Sequence, residues 1–89
     1  MKKLLVISAV WCPSCLILNR HLKKIKSLYS SLEIEKLDYD LDEEEVIKYN
    51  IGDKLPVMIF KDDKDNEIDR LVGEKSFSEI EKWLGDKNV

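Results

Sequence analysis

The chain has 89 residues, which is the size of one domain, because a second hydrophobic core would leave each half too small. We therefore predict a single domain over residues 1–89. Hydrophobic residues make up 44% and charged residues 37% of the sequence, enough for a modest core under a well-solvated surface, which excludes a disordered chain. A net charge of −3, with the two signs mixed along the chain, makes nucleic acid and anionic membranes unexpected partners.

The first residues admit two interpretations. Two lysines followed by an apolar stretch and Cys12 are similar to the start of a lipoprotein signal, which would imply a secreted, anchored protein. Against this, the apolar stretch is at the minimum length for a signal, and the bulky Trp11 stands where cleavage needs a small side chain. The run is also far below the ~18–20 residues that span a bilayer. We expect instead a cytoplasmic protein with a buried first strand, whose apolar residues are Leu4, Leu5, Val6, Ile7 and Val10.

A helix and a second strand are predicted next. Pro13 can open a helix, because its missing N–H would be unpaired at the first helical position anyway. Helical spacing of apolar residues continues to about Tyr29 and predicts an amphipathic helix. Its apolar stripe is Leu18, Leu22, Ile25 and Tyr29, widened by Ile17 and Leu28. The segment from Leu32 to Tyr39 then predicts a second strand, which completes a βαβ unit.

A short helix is predicted after the second strand. Asp42 precedes three glutamates at 43–45, and this pattern is a variant of the capping box with negative charge at the positive helix end. The helix should end near Tyr49, because Asn50 can adopt the left-handed conformation that terminates helices.

The last third of the chain predicts a hairpin and a helix. Strands at Val57–Phe60 and Glu67–Val72 lie on either side of a polar turn, as in an antiparallel hairpin. Ser76 with Glu79 is a second capping box, before a helix that should stop at Gly85. Its inward residues are Phe77, Ile80, Trp83 and Leu84. The predicted fold class is α/β, with the order βαβ-αββα and a four-stranded mixed sheet flanked by helices.

The chemistry is predicted at the two cysteines, which lie three residues apart in Trp11-Cys12-Pro13-Ser14-Cys15, at the strand–helix junction. At this spacing the Cβ atoms lie ~5–6 Å apart, and a small adjustment at the cap position reaches the ~3.5–4.5 Å of a disulfide. Cys12 is the expected nucleophile, because the positive helix end stabilises a thiolate. Cys15, one turn further in, is expected to resolve the mixed disulfide formed on Cys12.

Other uses of the two cysteines are less well supported. A purely structural bridge would close so short a loop that it would hardly constrain the unfolded chain. Zinc, or an iron–sulfur cluster shared across a dimer, would need ligands beyond the two thiols and His21. His21 falls on the apolar side of its helix and is interpreted as a packed boundary residue rather than a catalyst. We predict no metal and retain a metal-binding module as an alternative.

The ordered motifs resemble the thioredoxin-like superfamily, and specifically a small thioredoxin, over nearly the whole chain. Residues 11–15 are similar to the family's Trp-Cys-x-x-Cys, and residues 36–40 resemble the strand that carries its active-site lysine. Leu55-Pro56-Val57 is similar to the segment around the family's cis-proline, and Val72-Gly73 before the last helix completes the match.

The resemblance implies a thiol–disulfide oxidoreductase that reduces protein disulfides and serves electron transport and cell redox homeostasis. It would need no cofactor beyond a redox-active Cys12–Cys15 disulfide. Thioredoxin reductase or a similar thiol donor would re-reduce it, and we expect a monomer. By the same resemblance Pro56 is a cis-proline facing the sulfurs, and the substrate-binding residues are Trp11, Pro13, Leu55, Pro56 and Gly73. Lys36 would support the cysteines.

Departures from the thioredoxin pattern affect the expected mechanism. Val6 stands where thioredoxins keep a buried aspartate, so proton transfer at Cys15 would rely on Lys36, water or the substrate. Pro13-Ser14 replaces the Gly-Pro pair between the thioredoxin cysteines.

The short core is closer to the minimal glutaredoxin-like architecture, which makes a glutathione-dependent glutaredoxin-like enzyme the alternative function. However, Lys54-Leu55 and Gly73-Glu74 replace the Thr-Val and Gly-Gly pairs typical of glutathione binding.

Overall fold

The computed structural model describes residues 2–87, whose helices and strands follow the predicted order. The elements are β1 (Lys3–Ser8), α1 (Pro13–Leu28), β2 (Glu33–Asp38), α2 (Glu43–Ile47), β3 (Val57–Lys61), β4 (Glu67–Val72) and α3 (Phe77–Gly85). The strands form one sheet in the order β2-β1-β3-β4, with β1 parallel to β2 and the other two pairings antiparallel. The predicted α/β class with a four-stranded mixed sheet is confirmed.

The central strands are buried on both faces of the sheet. Leu4 and Val6 of β1 pack in one cluster with residues of α1 and α3, whereas Leu5 and Ile7 pack in a second cluster with Val46 of α2. The alternation follows from the pleat, which points successive side chains to opposite faces. Covering both faces explains why β1 is continuously apolar and not alternating.

The apolar stripe of α1 is narrower than predicted. Leu18, Leu22 and Ile25 are buried, but Ile17 is 43% exposed and Leu28 is also exposed. At about 100° per residue, Ile17 and Leu28 lie roughly 80–100° around the helix axis from the buried stripe. The flat face of the sheet covers one side of the helix only, so the prediction that these two residues widen the buried stripe is wrong.

The end of the first strand also differs from the prediction. β1 ends at Ser8, and Val10 lies in the following turn with 81% of its surface exposed. The chain leaves the sheet in a turn, in which the backbone N–H of Cys12 donates to the carbonyl of Ala9 at 3.2 Å. Val10 therefore belongs to the surface beside the cysteines and not to the core.

The predicted capping box at Asp42 does not form. Asp42 precedes α2, but its side chain makes no cap hydrogen bond; it accepts instead from the backbone N–H of Asp38 at 2.7 Å. The carboxylate thus closes the turn between β2 and α2, and α2 ends at Ile47, before the expected Tyr49. Asn50, with φ of 53°, adopts the predicted left-handed conformation.

The serine half of the second predicted capping box forms at the start of α3, while the Glu79 side chain accepts from the Ser76 hydroxyl and not from its backbone N–H. Ser76 Oγ accepts a hydrogen bond from the backbone N–H of Glu79 at 3.2 Å. Behind this cap, Ile80, Trp83 and Leu84 are buried against the sheet, and the helix ends at Gly85 as expected. None of the helices within residues 2–87 has the length and apolar character needed to cross a membrane.

Candidate active site

Cys12 caps the first helix with its own sulfur. It has extended backbone angles, φ −98° and ψ 111°, and it is followed by Pro13 in the first helical turn. Its Sγ accepts a hydrogen bond from the backbone N–H of Cys15 at 3.3 Å. The same N–H also donates to the carbonyl of Cys12 at 3.1 Å, and the helix dipole places positive charge at this end of the helix. The hydrogen bond to Sγ and the dipole stabilise negative charge on the Cys12 sulfur.

Cys15 differs from Cys12 in its electrostatic environment. Both thiols are free and buried, with 6% of Cys12 and 2% of Cys15 exposed. Burial, followed by the hydrogen bond with Cys12, raises the pKa of Cys15 to about 12, although the backbone of Ala9 acts in the opposite direction. At neutral pH Cys15 is therefore a protonated thiol, and its backbone N–H donates to the sulfur of Cys12.

The Leu55–Pro56 segment lies against the thiols. Leu55 packs on the cluster formed by Ala9 and the two cysteines, and the Leu55–Pro56 peptide bond is cis. The carbonyl of Pro56 accepts a hydrogen bond from the backbone N–H of Gly73 at 2.9 Å. Gly73 has φ of +87°, a conformation that glycine adopts without steric cost, and it turns the chain after β4. The structure thus brings Leu55, Pro56 and Gly73 together next to the cysteines.

Trp11 lies on the surface of the site and is held in place there. It is 59% exposed and does not belong to the core. Its Nε1 donates to Asp40 Oδ2 at 2.7 Å, and its ring meets Tyr39 edge to face with centroids 6.4 Å apart. Asp40 follows β2, where the carboxylate of Asp38 accepts from the backbone N–H of Asp40 at 2.9 Å. Sequence reasoning gave Asp40 no role, since no local pattern links it to Trp11.

A second carboxylate contacts the cysteine motif from the opposite end of the chain. Ser14, between the two cysteines, donates its hydroxyl hydrogen bond to Glu74 Oε1 at 2.8 Å. Glu74 directly follows Gly73, so the same turn that contacts Pro56 also contacts the motif. This link was not predicted, because 60 positions separate the two residues.

Pro13 and Lys36 occupy exposed positions. Pro13 fills the first turn of α1, as predicted. Lys36 lies opposite Val6 in the register of β1 and β2 and lines a surface pocket with Asn19 and Lys23 of α1. Among residues 2–87 it forms no hydrogen bond with either cysteine, and its part in proton transfer stays a prediction.

His21 packs at the boundary of the core. The centroid of its ring lies 5.9 Å from the ring centroid of Phe77, in agreement with the interpretation of a packed histidine. Within the part of the chain that the structure describes, no three His, Cys, Asp or Glu side chains are grouped so that they could hold a metal ion.

Paired thiols at the start of a helix, on a four-stranded mixed sheet, are the arrangement of the thioredoxin fold. The Thioredoxin family model matches residues 1–86, and the chain belongs to the thioredoxin family. It is 33% identical over 84 residues to thioredoxin H8 of Arabidopsis thaliana, an alignment that covers 92% of this chain. It spans about half of that relative, 55% of its length.

Solved structures show the same fold. A malarial protein superposes with a TM-score of 0.88 at 21% identity, covering 100% of this chain and 99% of the other. Mitochondrial thioredoxin 3 from Saccharomyces cerevisiae, in its oxidised form, superposes with a TM-score of 0.81 at 24% identity, covering 96% and 77%. The chain thus belongs to the thioredoxin family and has the thioredoxin fold.

Proposed function

We propose that this protein is a dithiol–disulfide oxidoreductase that reduces disulfides of other proteins through Cys12 and Cys15. The observation that carries the proposal is the asymmetry of the two thiols. Cys12 Sγ accepts a helix N–H, whereas burial keeps Cys15 protonated. Cys12 would attack the substrate disulfide first, and Cys15 would attack the resulting mixed disulfide afterwards. Thiol–disulfide exchange requires this order.

The reaction is a two-electron exchange of sulfur–sulfur bonds. The Cys12 thiolate attacks one substrate sulfur, forms a mixed disulfide and releases the other substrate sulfur as a thiolate, which takes a proton from water. Cys15 then loses its proton and attacks Cys12 Sγ. A Cys12–Cys15 disulfide forms, the second substrate thiol leaves, and the substrate has gained the two electrons that the protein dithiol has lost.

Loss of the Cys15 proton is the step that the surroundings support least. Val6, at the position where thioredoxins keep an aspartate, is fully buried in the core and has no proton-accepting group. The departing substrate thiolate is a base positioned at the reacting sulfurs, and we propose that it takes this proton, directly or through water. Lys36 is the protein group proposed to assist.

The surface around Cys12 suits a polypeptide substrate. Trp11 offers an exposed aromatic face, and aromatic side chains contribute large contact areas at protein interfaces. Val10 and Leu41, in the segments next to the bonded pair of Trp11 and Asp40, are also exposed. We propose that Leu55 presents its backbone to an extended substrate segment, with Pro13, Pro56 and Gly73 forming the rest of the groove.

The proposed cycle is completed by an external dithiol donor. Thioredoxin reductase or a similar donor would reduce the Cys12–Cys15 disulfide, and no other cofactor is required. Monomeric protein in the cytoplasm remains our expectation.

Two cysteine variants test the proposal with insulin as the disulfide substrate and dithiothreitol as the donor. Cys12→Ser should abolish turnover. Cys15→Ser, mixed with insulin before dithiothreitol is added, should accumulate a mixed disulfide that excess dithiothreitol then releases. Turnover by Cys12→Ser equal to that of the unmodified protein would refute the mechanism.

A titration in thiol–disulfide buffers complements the variants. We expect a reversible two-electron couple near or below about −250 mV; a value near roughly −200 mV would favour the glutaredoxin-like alternative.

A further inference from the structure

Glu74 is placed beside the reactive pair by two hydrogen bonds. Gly73, its neighbour, is bonded to the carbonyl of Pro56 at 2.9 Å. The Glu74 carboxylate itself accepts from Ser14 Oγ at 2.8 Å, and Ser14 stands between the cysteines in the first turn of α1. Glu74 is exposed, so its charge faces the solvent from which a substrate approaches.

Negative charge borders the cysteine motif on two sides. Asp40 is bonded to Trp11, before Cys12, and Glu74 is bonded to Ser14, after it. Other carboxylates form ion pairs: Glu67 with Arg70, for example. Within residues 2–87, neither Asp40 nor Glu74 forms an ion pair with a lysine or arginine. Their charge is therefore free to act on an incoming substrate.

We propose that Glu74 is a specificity-determining residue, which favours disulfides that carry positive charge beside the sulfurs and disfavours anionic thiol compounds such as glutathione. The proposal rests on the proposed function, because it concerns which substrates reach Cys12. A cationic side chain next to the substrate disulfide gains the attraction of the carboxylate as the mixed disulfide forms. A substrate carboxylate at the same place is repelled by Glu74.

The size of the effect follows from Coulomb's law. A unit charge about 6–7 Å from the carboxylate in water gains or loses a factor of about two to three in rate at low ionic strength. The same factor should shrink as salt is added, because exposed charges are screened.

Three small disulfides of similar size provide the test: cystamine, which is cationic, bis(2-hydroxyethyl) disulfide, which is neutral, and 3,3′-dithiodipropionate, which is anionic. The fully reduced protein is mixed with each at low ionic strength, and oxidation of its dithiol is followed by tryptophan fluorescence and thiol alkylation. Rates are expressed relative to the neutral disulfide, so that any change in the reactivity of Cys12 itself cancels.

The unmodified protein should react faster with cystamine than with the neutral disulfide, and slowest with the anionic one. Glu74→Gln should lower the cationic-to-neutral ratio by about two- to three-fold and raise the anionic-to-neutral ratio by a similar factor. Glu81→Gln, which removes the same charge from an exposed position on α3, is the matched control and should leave both ratios unchanged. Ser14→Ala keeps the charge, so the preference for cystamine should survive.

Unchanged ratios in Glu74→Gln, or equal changes in Glu81→Gln, would overturn the role of Glu74 while leaving the proposed function intact. A preference for cystamine that does not decline with salt would also overturn it. By contrast, reduction of the neutral disulfide by Cys12→Ser at the unmodified rate would overturn the proposed function itself.

Discussion

The backbone N–H of Cys15 donates a hydrogen bond to Cys12 Sγ at 3.3 Å, so the two cysteines are coupled through the first turn of α1. The bond stabilises charge on the outer sulfur, while burial of the inner thiol opposes its ionisation. The start of the helix sets the hydrogen bond, whereas packing in the cluster with Ala9 and Leu55 buries Cys15. Under the proposed mechanism these two differences assign the roles of the thiols.

The asymmetry predicts selective alkylation. A pKa near 12 leaves Cys15 almost wholly protonated at pH 8, so iodoacetamide should modify Cys12 at least ~10-fold faster in the reduced protein. Peptide mass spectrometry after short exposure measures both rates. As the pH rises toward 12, Cys15 should gain reactivity and the ratio should fall; equal rates at pH 8 would contradict the assigned roles.

The buried face of α1 includes Ile25 but not Ile17, so alanine substitutions of these two residues should change the free energy of unfolding unequally. Ile25 is fully buried, so Ile25→Ala should lower the free energy of unfolding by about 2–5 kcal/mol through lost contacts and a cavity. Ile17→Ala, on the exposed side, should cost less than about 1 kcal/mol. Urea denaturation of both variants measures the difference, and equal losses would show that the sheet covers more of the helix.

The burial of Lys61 predicts that the aliphatic part of its side chain contributes to the free energy of unfolding. It is 5% exposed, and its Nζ donates to Tyr49 Oη and to Asp65 Oδ1. Lys61→Met retains the buried stem and should lower the free energy of unfolding by about 1 kcal/mol. Lys61→Ala also removes the stem and should lower it by about 2–3 kcal/mol. If chemical denaturation gave the same loss for both variants, the stem would contribute nothing.

The lowered pKa of Asp69 predicts that the protein loses stability in acid. Hydrogen bonds from Lys87 and Trp83 lower the pKa of Asp69 to about 2. A carboxyl group with a depressed pKa stabilises the fold above its unfolded pKa of about 3.9, and this contribution is lost as the pH falls toward about 2. Since the side chain is partly exposed, Asp69→Asn should cost only about 1 kcal/mol at pH 7.

The stability difference between this variant and the unmodified protein should shrink as the pH falls below about 4 and become small near pH 2. Thermal unfolding between pH 2 and pH 7 measures the difference, with Asp53→Asn as an exposed control that should remain within about 0.5 kcal/mol. A loss for Asp69→Asn that is independent of pH would contradict the assigned ion pair.

The sequence by itself determined the order of the elements and the position of the cysteine pair. Apolar spacing, the capping pattern at Ser76 and the turn residues act between neighbours in the chain, so they are visible without a fold. The Cys12–Cys15 geometry is of the same kind, because a single helical turn separates the two residues. Even within one segment, the sequence did not show which of two N–H groups a carboxylate would bond. The Asp42 carboxylate accepts from the N–H of Asp38 and does not cap α2.

Only the tertiary structure decided what surrounds the two thiols. The bonds from Trp11 to Asp40 and from Ser14 to Glu74 join residues 29 and 60 positions apart, and no periodic pattern encodes them. The exposure of Ile17 likewise depends on how much of α1 the sheet covers. Such contacts arise where separate elements end at one edge of the sheet, so the charge and shape of the site follow from packing and not from any single segment.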